Sequence, residues 1–214
     1  MASLEIRRYT DFAAAMRILR LKKITLLSPS AWDDQNDRNM MEAFQRFNDS
    51  ECVLALCFAQ SKETYHHWKI FAGTSNGVCI KFDKAKLIDA VVPQGVVADI
   101  VNYEKIPNIV FNTPPSPDKL PFLKRSAYSD ERELRLIWQS ATECLSYKDF
   151  DIPIDAIKEI TINPWAPLPL VEEMKLCLKS LPDCSKIAIF KSQLIDHSAW
   201  RQLANLYRPP AKPT

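Results

Sequence analysis

Glycine is rare in this chain of 214 residues, occurring only at Gly73, Gly77 and Gly95. The phosphate-binding loops of Rossmann and P-loop proteins need closely spaced glycines, because the backbone must approach the phosphate closely. Neither loop motif is present, which excludes both kinds of nucleotide site. Any nucleotide would have to be held by side chains and strand edges.

An excess of charge, long apolar runs and paired cysteines are also missing. Lys and Arg number 28 against 26 Asp and Glu, so no global attraction to nucleic acid or anionic membrane is expected. No apolar run approaches the ~20 residues of a membrane helix, and the first residues do not form a signal peptide. The six cysteines form no Cys-x-x-Cys pair, and a zinc site from Cys57, His66 and His67 has no standard spacing. We therefore expect a reduced, cytoplasmic protein without a metal.

The hydrophobic fraction of 47% allows a sizeable core. Strands are predicted over 4–9, 24–27, 53–58, 78–82, 96–103, 131–138, 157–162 and 186–190. Helices are predicted from residue 10 or 11 to about 19, and over 40–47, 62–72, 120–127, 170–181 and 198–207. This mixture predicts a single α+β domain over 1–207 and a disordered Pro-rich tail over 208–214.

The most informative motif is a pair of carboxylates two residues apart, Glu131 and Glu133, where an apolar strand begins. Alternate side chains of a strand share a face, and adjacent like charges are costly unless a cation, a ligand or catalysis requires them. One carboxylate could stabilise an oxocarbenium-like transition state while the other orients or deprotonates the attacking group. An exposed sheet edge with Arg132 and Arg135 as counter-charges is the structural alternative.

The spacing of Tyr128, Glu131 and Glu133 resembles the loop-and-strand motif of ADP-ribosyltransferases. The resemblance implies a mixed, mainly antiparallel split sheet flanked by helices, with NAD as a substrate. Glu133 would be the catalytic carboxylate on the nicotinamide-side ribose, and Glu131 its companion facing the acceptor. Tyr128 would belong to the substrate-recognition turn. The acceptor stays open between protein, nucleic acid and small molecule.

The same resemblance implies an arginine on the first strand that holds the NAD diphosphate. Arg8, or alternatively Arg7, has this position, and an arginine fork suits a diphosphate; ordinary strand-edge charge is the other interpretation. Tyr9 or Trp68 would stack on nicotinamide, although Trp68 also fits the inner face of a helix.

Three further residues are candidates for the site. Thr74 and Ser75 have the chain order of the family's Ser-Thr-Ser element, but they lie between Gly73 and Gly77, where a plain turn is the alternative. Lys124 could neutralise a phosphate or a nucleic-acid acceptor, or lie on a solvated face.

Over nearly its whole length the chain also resembles an uncharacterised bacterial family, a domain of unknown function. The shared landmarks are Asn36-Asp37, Cys57 to Ala59, Trp68, Gly77 to Asp83, Val101 to Tyr103, Lys124 and Glu131 to Arg135. This resemblance implies no activity.

The leading hypothesis is an NAD-dependent ADP-ribosyltransferase-like domain, as in a bacterial toxin or phage-defence component. The rival is a non-enzymatic module that binds a nucleotide or protein on a degenerate fold. A metal-dependent nuclease using Asp37 and the two glutamates ranks third. If Arg8 and Glu133 line one pocket, the enzyme hypothesis gains; if a core separates them, it fails.

Overall fold

The computed structural model describes residues 4–73, 75–105 and 114–207. The strands are β1 (Glu5–Asp11), β2 (Lys23–Leu27), β3 (Cys52–Ala59), β4 (Gly77–Asp83), β5 (Val97–Ile100), β6 (Asn102–Glu104), β7 (Leu123–Arg125), β8 (Glu133–Ser140), β9 (Tyr147–Asp151), β10 (Ile157–Ile162) and β11 (Ala188–Lys191). The α-helices are α1 (Phe12–Leu21), α2 (Gln35–Phe47), α3 (Tyr65–Phe71), α4 (Lys84–Val91), α5 (Leu168–Lys179) and α6 (Ser198–Asn205). Short 3-10 helices cover Pro29–Ala31, Val92–Gln94, Pro117–Phe122, Ser126–Glu131 and Ile154–Ala156.

Nine of these strands form one sheet, and β6 and β7 form a separate small parallel pair. The order β11-β10-β4-β1-β3-β2-β9 runs along the large sheet, and β8 lies between β3 and β5. Among the described strands of this sheet only β10 and β11 pair in parallel. The predicted α+β class, with a mixed and mainly antiparallel sheet flanked by helices, is confirmed.

The sheet is split along one edge of β3. β8 pairs with β3 at every position from Cys52 to Ala59 and so occupies one edge completely. The other edge pairs with β1 only at Ala59 and with β2 only at Ala55. Between these two contacts the edge of β3 at Cys57 pairs with no strand of the described chain, and β1 and β3 diverge there.

Helices cover both faces of the sheet. On one face, α1, α4 and α5 bury the main core, which includes the β8 residues Leu134, Leu136 and Trp138. On the other face, α2 packs over Val53, Ala55 and Ile137 of β3 and β8, and α3 packs over Tyr9, Ala59 and Cys79. These two smaller clusters leave room between them for polar side chains.

Local sequence signals account for the positions of the first two helices. The Asp11 carboxylate caps α1 by accepting from the Ala14 N–H at 2.8 Å, and the helix ends at Lys22 in the left-handed conformation. Asp34 caps α2 in the same way by accepting from Asn36 N–H. Because of this cap, α2 starts at Gln35 rather than at the predicted residue 40.

Several other predictions need correction. The predicted helix over 120–127 is the strand β7 between two 3-10 helices, since Pro117 and Pro121 prevent a regular α-helix. The predicted strand over 96–103 is broken into β5 and β6 at Val101, whose N–H donates to the Glu133 carbonyl. Helix α4 and strand β9 were not predicted. The tail over 208–214 lies outside the described residues, and no helix of the described part is long and apolar enough to cross a membrane.

Candidate active site

The alternation of β8 places Glu133 and Arg135 on the face opposite the main core. Leu134 and Leu136 point into that core, so their polar neighbours face α2 and α3. The sequence predicted that Glu131 lies on the strand. In the structure it is instead the last residue of the 3-10 helix Ser126–Glu131. Arg132 then has a φ of 46°, and this left-handed residue turns the chain from the 3-10 helix into β8.

Lys124 joins the two carboxylates. Its ammonium group lies 2.5 Å from Glu131 Oε2 and 2.8 Å from Glu133 Oε1. Its side chain is 9% exposed and its nitrogen lies 4.7 Å from the centre of the Tyr128 ring. The predicted pair is therefore brought together, and both Lys124 and Tyr128 adjoin it, although Lys124 contacts protein carboxylates.

Arg135 holds the other side of Glu133. Its Nε donates to Glu133 Oε2 at 2.7 Å, and its two terminal nitrogens donate to both carboxylate oxygens of Asp37 at 2.8 and 2.6 Å. One of these nitrogens also donates to the Pro121 carbonyl. The Arg135 side chain is 0% exposed, so it is enclosed by protein.

The network contains two cations and three carboxylates, since Asp37, Glu131 and Glu133 surround Lys124 and Arg135. With all five groups ionised the network has a net charge of −1, so one proton on a carboxylate makes the network neutral. Burial, followed by the hydrogen bond with Glu133, raises the pKa of Glu131 above its ordinary value. Burial also opposes ionisation of Glu133, but its hydrogen bond with Glu131 and the charges of Arg135 and Lys124 hold the pKa of Glu133 below its ordinary value. The directions of the two shifts favour a protonated Glu131 beside an ionised Glu133.

A cavity of about 50 Å³ opens where β1 and β3 diverge. Its lining includes Arg8 and Tyr9 of β1, Cys57 of β3, and both Glu131 and Glu133. The first-strand arginine and the glutamate pair thus line the same pocket. This is the geometry that distinguishes the enzyme hypothesis from its rival.

Arg8 reaches across the split in the sheet. Its Nη1 donates to the Cys57 carbonyl at 3.1 Å, at the edge of β3 that neither β1 nor β2 occupies. Burial lowers the pKa of Arg8, but a guanidinium group stays protonated in proteins. The neighbouring Arg7 is the alternative candidate; it lines the cavity too, and its guanidinium donates to the Ser61 carbonyl.

Three aromatic residues line the cavity: Tyr9, Phe71 and Phe58, the last of which also belongs to the main core. The Tyr9 ring stacks on the buried His67 ring at 5.5 Å, and burial lowers the pKa of His67, which favours a neutral imidazole. Trp68, by contrast, is 0% exposed, and its indole N–H donates to Glu63 at 2.5 Å. The structure therefore does not support a stacking role for Trp68, because no ligand can reach its ring.

The proposed middle element is not part of the described cavity. Ser75 is exposed in the turn before β4 and is not among the described residues that line the pocket. Thr74 lies outside the described residues. A plain turn accounts for Ser75.

The metal-dependent alternative needs Asp37 and the two glutamates, all of which contact cationic side chains of the protein. Within the residues that the structure describes, no group of three or more His, Cys, Asp or Glu is arranged to hold a metal ion. Burial raises the pKa of the Cys57 thiol to about 12, and a protonated thiol is a poor metal ligand. Asp37, the residue considered for a metal-dependent nuclease, is bound on both oxygens by Arg135.

The pairing of Asp37 with Arg135 was not predicted from the sequence. The two are 98 residues apart, so only the tertiary fold reveals their contact. Their one sequence signal was membership of the Asn-Asp and Glu-x-Glu-x-Arg landmarks. His67 stacks on Tyr9 but is not among the described residues that line the cavity.

No family model matches this chain, and no curated protein is significantly similar to it. Three solved structures with a related architecture are complexes of DarT from Thermus sp. 2.9. The complex with ADP-ribosylated ssDNA has a TM-score of 0.46 at 14% identity and covers 90% of this chain and 96% of that one. The complexes with NAD+ and carba-NAD+ have TM-scores of 0.44 and 0.45 at 14% and 13% identity, each covering 90% of this chain and 97% of DarT. This similarity is too low to carry the ligands of DarT over to this chain.

Proposed function

We propose that this chain is an NAD-dependent ADP-ribosyltransferase-like enzyme, of the kind found among bacterial toxins and phage-defence components. The observation that carries the proposal is the cavity shared by Arg8 and by the pair Glu131 and Glu133. A cation for a diphosphate and a carboxylate for a ribosyl cation are the two charges that NAD cleavage requires.

Glu133 is the residue that stabilises the transition state in this proposal. The bond between ribose C1′ and the nicotinamide nitrogen breaks, and nicotinamide leaves with the bonding electron pair. The ribosyl carbon then carries positive charge, which an ionised carboxylate stabilises. Lys124 and Arg135 each bind one oxygen of Glu133 and keep it ionised.

Glu131 is the base that takes the proton of the acceptor. It lines the same cavity as Glu133, and its raised pKa brings it closer to neutral pH, where general bases work best. The acceptor, whether protein, nucleic acid or small molecule, attacks C1′ and transfers its proton to Glu131. Because the raised pKa favours the protonated form at rest, Glu131 must first release this proton to solvent before it can take the proton of the acceptor.

The first strand binds the substrate in this scheme. Arg8 uses one nitrogen on the Cys57 carbonyl and offers its remaining N–H groups to the NAD diphosphate. Tyr9 and Phe71 supply aromatic surface for the nicotinamide ring. Ligand pockets usually measure ~300–1,000 Å³, so the cavity of about 50 Å³ takes only one end of the dinucleotide and the adenosine half lies outside.

The second candidate is a non-enzymatic module that binds a nucleotide or a protein on a degenerate fold. The specific observation in its favour is that Lys124 and Arg135 already occupy both oxygens of Glu133. In this candidate the charge network only shapes the surface. It predicts ligand binding without bond cleavage.

Calorimetric titration with NAD, followed by mass analysis of the reaction for free nicotinamide, tests the proposal. Water can serve as the acceptor, so the natural acceptor is not needed. The proposal expects both binding and nicotinamide release above the rate in buffer. Binding without nicotinamide release favours the second candidate. If NAD is not bound and no nicotinamide is released, the proposal is refuted.

A further inference from the structure

Asp37 and Arg135 form a charged unit behind Glu133, away from the cavity. Four hydrogen bonds fix the Arg135 guanidinium: one to Glu133, two to Asp37 and one to the Pro121 carbonyl. Because Arg135 is fully buried and neither residue is among those lining the cavity, neither can touch a ligand there. Any effect that they have on a reaction must pass through Glu133, or through Lys124, whose nitrogen lies 3.8 Å from Asp37 Oδ2.

Stability alone does not explain this unit. Taking an arginine and two carboxylates out of water is costly, and well-packed apolar residues in place of a buried ion pair are often neutral or stabilising. The arrangement is nevertheless specific, since Asp37 binds the guanidinium with both oxygens. Such a fork fixes the rotation of the guanidinium plane, which in turn fixes the direction of its Nε–H bond toward Glu133.

We infer that Asp37 and Arg135 are positioning residues, which orient the Glu133 carboxylate toward the cavity and balance the charge around it. The inference rests on the proposed function for its effect on catalysis. Asp37 is delivered by the first turn of α2, which Asp34 caps, whereas Arg135 and Glu133 come from β8. The seating of α2 against the sheet therefore sets the geometry of the carboxylate.

The kinetic test replaces the pair as a unit. Asp37→Ala combined with Arg135→Met removes both charges and leaves neither partner buried alone. The matched control is Glu42→Ala with Arg46→Met, an exposed ion pair on the same helix. Circular dichroism and thermal unfolding must show both proteins folded. Nicotinamide release from NAD is then measured over a range of NAD concentrations.

We expect kcat of the site variant to fall by about 100-fold, the usual consequence of displacing a reacting group by about 1 Å. KM should change little, because neither residue touches NAD, and the control pair should keep wild-type values. Arg135→Lys keeps the charge but loses the fork, so it should recover only part of the lost kcat. A folded site variant with wild-type kcat overturns the inference.

A second readout does not depend on activity. Carbon-13 NMR titration of the glutamate side-chain carboxyls in the wild type, in Asp37→Asn and in Arg135→Met reports the ionisation of Glu131 and Glu133. Other charged and titratable groups around Glu131 and Glu133 stay unchanged in these variants. Besides Asp37 of α2 and Arg135 of β8, they are Lys124 of β7, Arg8 of β1, Cys57 of β3, Tyr103 of β6 and His67 of α3. Removing the negative charge of Asp37 should lower the pKa values of the glutamate pair, and removing the positive charge of Arg135 should raise them.

These two readouts separate the inference from the proposed function. If the wild type releases no nicotinamide but the titrations shift as expected, the proposed function fails and the control of Glu133 by Asp37 and Arg135 stands. If the titrations of the folded variants match the wild type, the inference fails whatever the turnover.

Discussion

Lys124 is the cation on which the two site carboxylates converge, and replacing it tests the charge network directly. Lys124→Met keeps most of the apolar stem and removes the ammonium group. The change leaves Glu131 and Glu133 facing each other without the nitrogen that now lies 2.5 and 2.8 Å from their oxygens. It also removes the contact of the ammonium with the Tyr128 ring.

The expected loss follows from the burial of this group. Removing one partner of a buried ion pair typically costs about 3–5 kcal/mol, and the lost contact with the aromatic ring adds about 0.5–1 kcal/mol. Glu131 limits the loss, because as the carboxylate with the raised pKa it can keep its proton and stay neutral. We therefore expect a decrease of about 3 kcal/mol in the free energy of unfolding at alkaline pH and a smaller decrease at acid pH.

Denaturant unfolding at two pH values measures this loss. The matched control is Lys175→Met, which removes an exposed i,i+3 pair with Glu172 on α5 and should cost at most about 1 kcal/mol. In the double variant Lys124→Met with Glu131→Gln, the carboxylate repulsion is gone, so about 1–2 kcal/mol of the loss should be recovered. A loss no larger than that of the control, or no recovery in the double variant, refutes the network as described.

Three further predictions concern other parts of the site. Because the pKa of Glu131 is raised in the folded protein, its contribution to stability is complete below the ordinary pKa of a carboxyl group. This contribution is lost as the pH rises through the raised pKa, so the melting temperature of the wild type should fall from about pH 5 to about pH 9. The melting temperature of Glu131→Gln should fall less over the same pH range. The lowered pKa of Glu133 affects stability only at more acid pH. Parallel curves of melting temperature against pH for the two proteins would contradict the raised pKa of Glu131. Arg8→Met should weaken NAD binding about 10- to 100-fold, the value of a charged hydrogen bond, whereas unchanged calorimetric affinity would remove Arg8 from the site. In Gly77→Ala the new Cβ would lie 2.8 Å from the Ala72 Cβ and closer still to the Ala72 carbonyl, so denaturant unfolding should show a loss of about 1–3 kcal/mol, and wild-type stability would show that the end of α3 can yield.

The sequence was sufficient for most strands of the large sheet, because their apolar content and turn residues are local signals, whereas β9, which has only one buried residue, was not predicted. β8 is the clearest example: it was predicted as a strand, and its alternation places Glu133 and Arg135 on one face, where they form a hydrogen bond. The same alternation gave the wrong reason for Glu131, which reaches the site from a 3-10 helix through the left-handed Arg132. A local pattern can thus predict proximity without predicting the backbone that produces it.

The remainder of the site depends on contacts between distant segments. Asp37 meets Arg135 only because α2 packs on the second face of the sheet, and periodicity does not predict which helix covers which face. Trp68 shows the converse limit, since an aromatic residue on a short helix fits both a binding wall and a core. Burial decides for the core, and that depends on the packing of α3 against β1 and β4.

The most direct test of the account compares nicotinamide release from NAD by the wild type and by Glu133→Gln, with the exposed Glu172→Gln as the matched control. Both variants must first be shown folded by circular dichroism. We expect that Glu172→Gln keeps the wild-type rate and that Glu133→Gln loses at least about 100-fold, because an amide cannot neutralise the ribosyl cation. A folded Glu133→Gln protein that releases nicotinamide at the wild-type rate would contradict it.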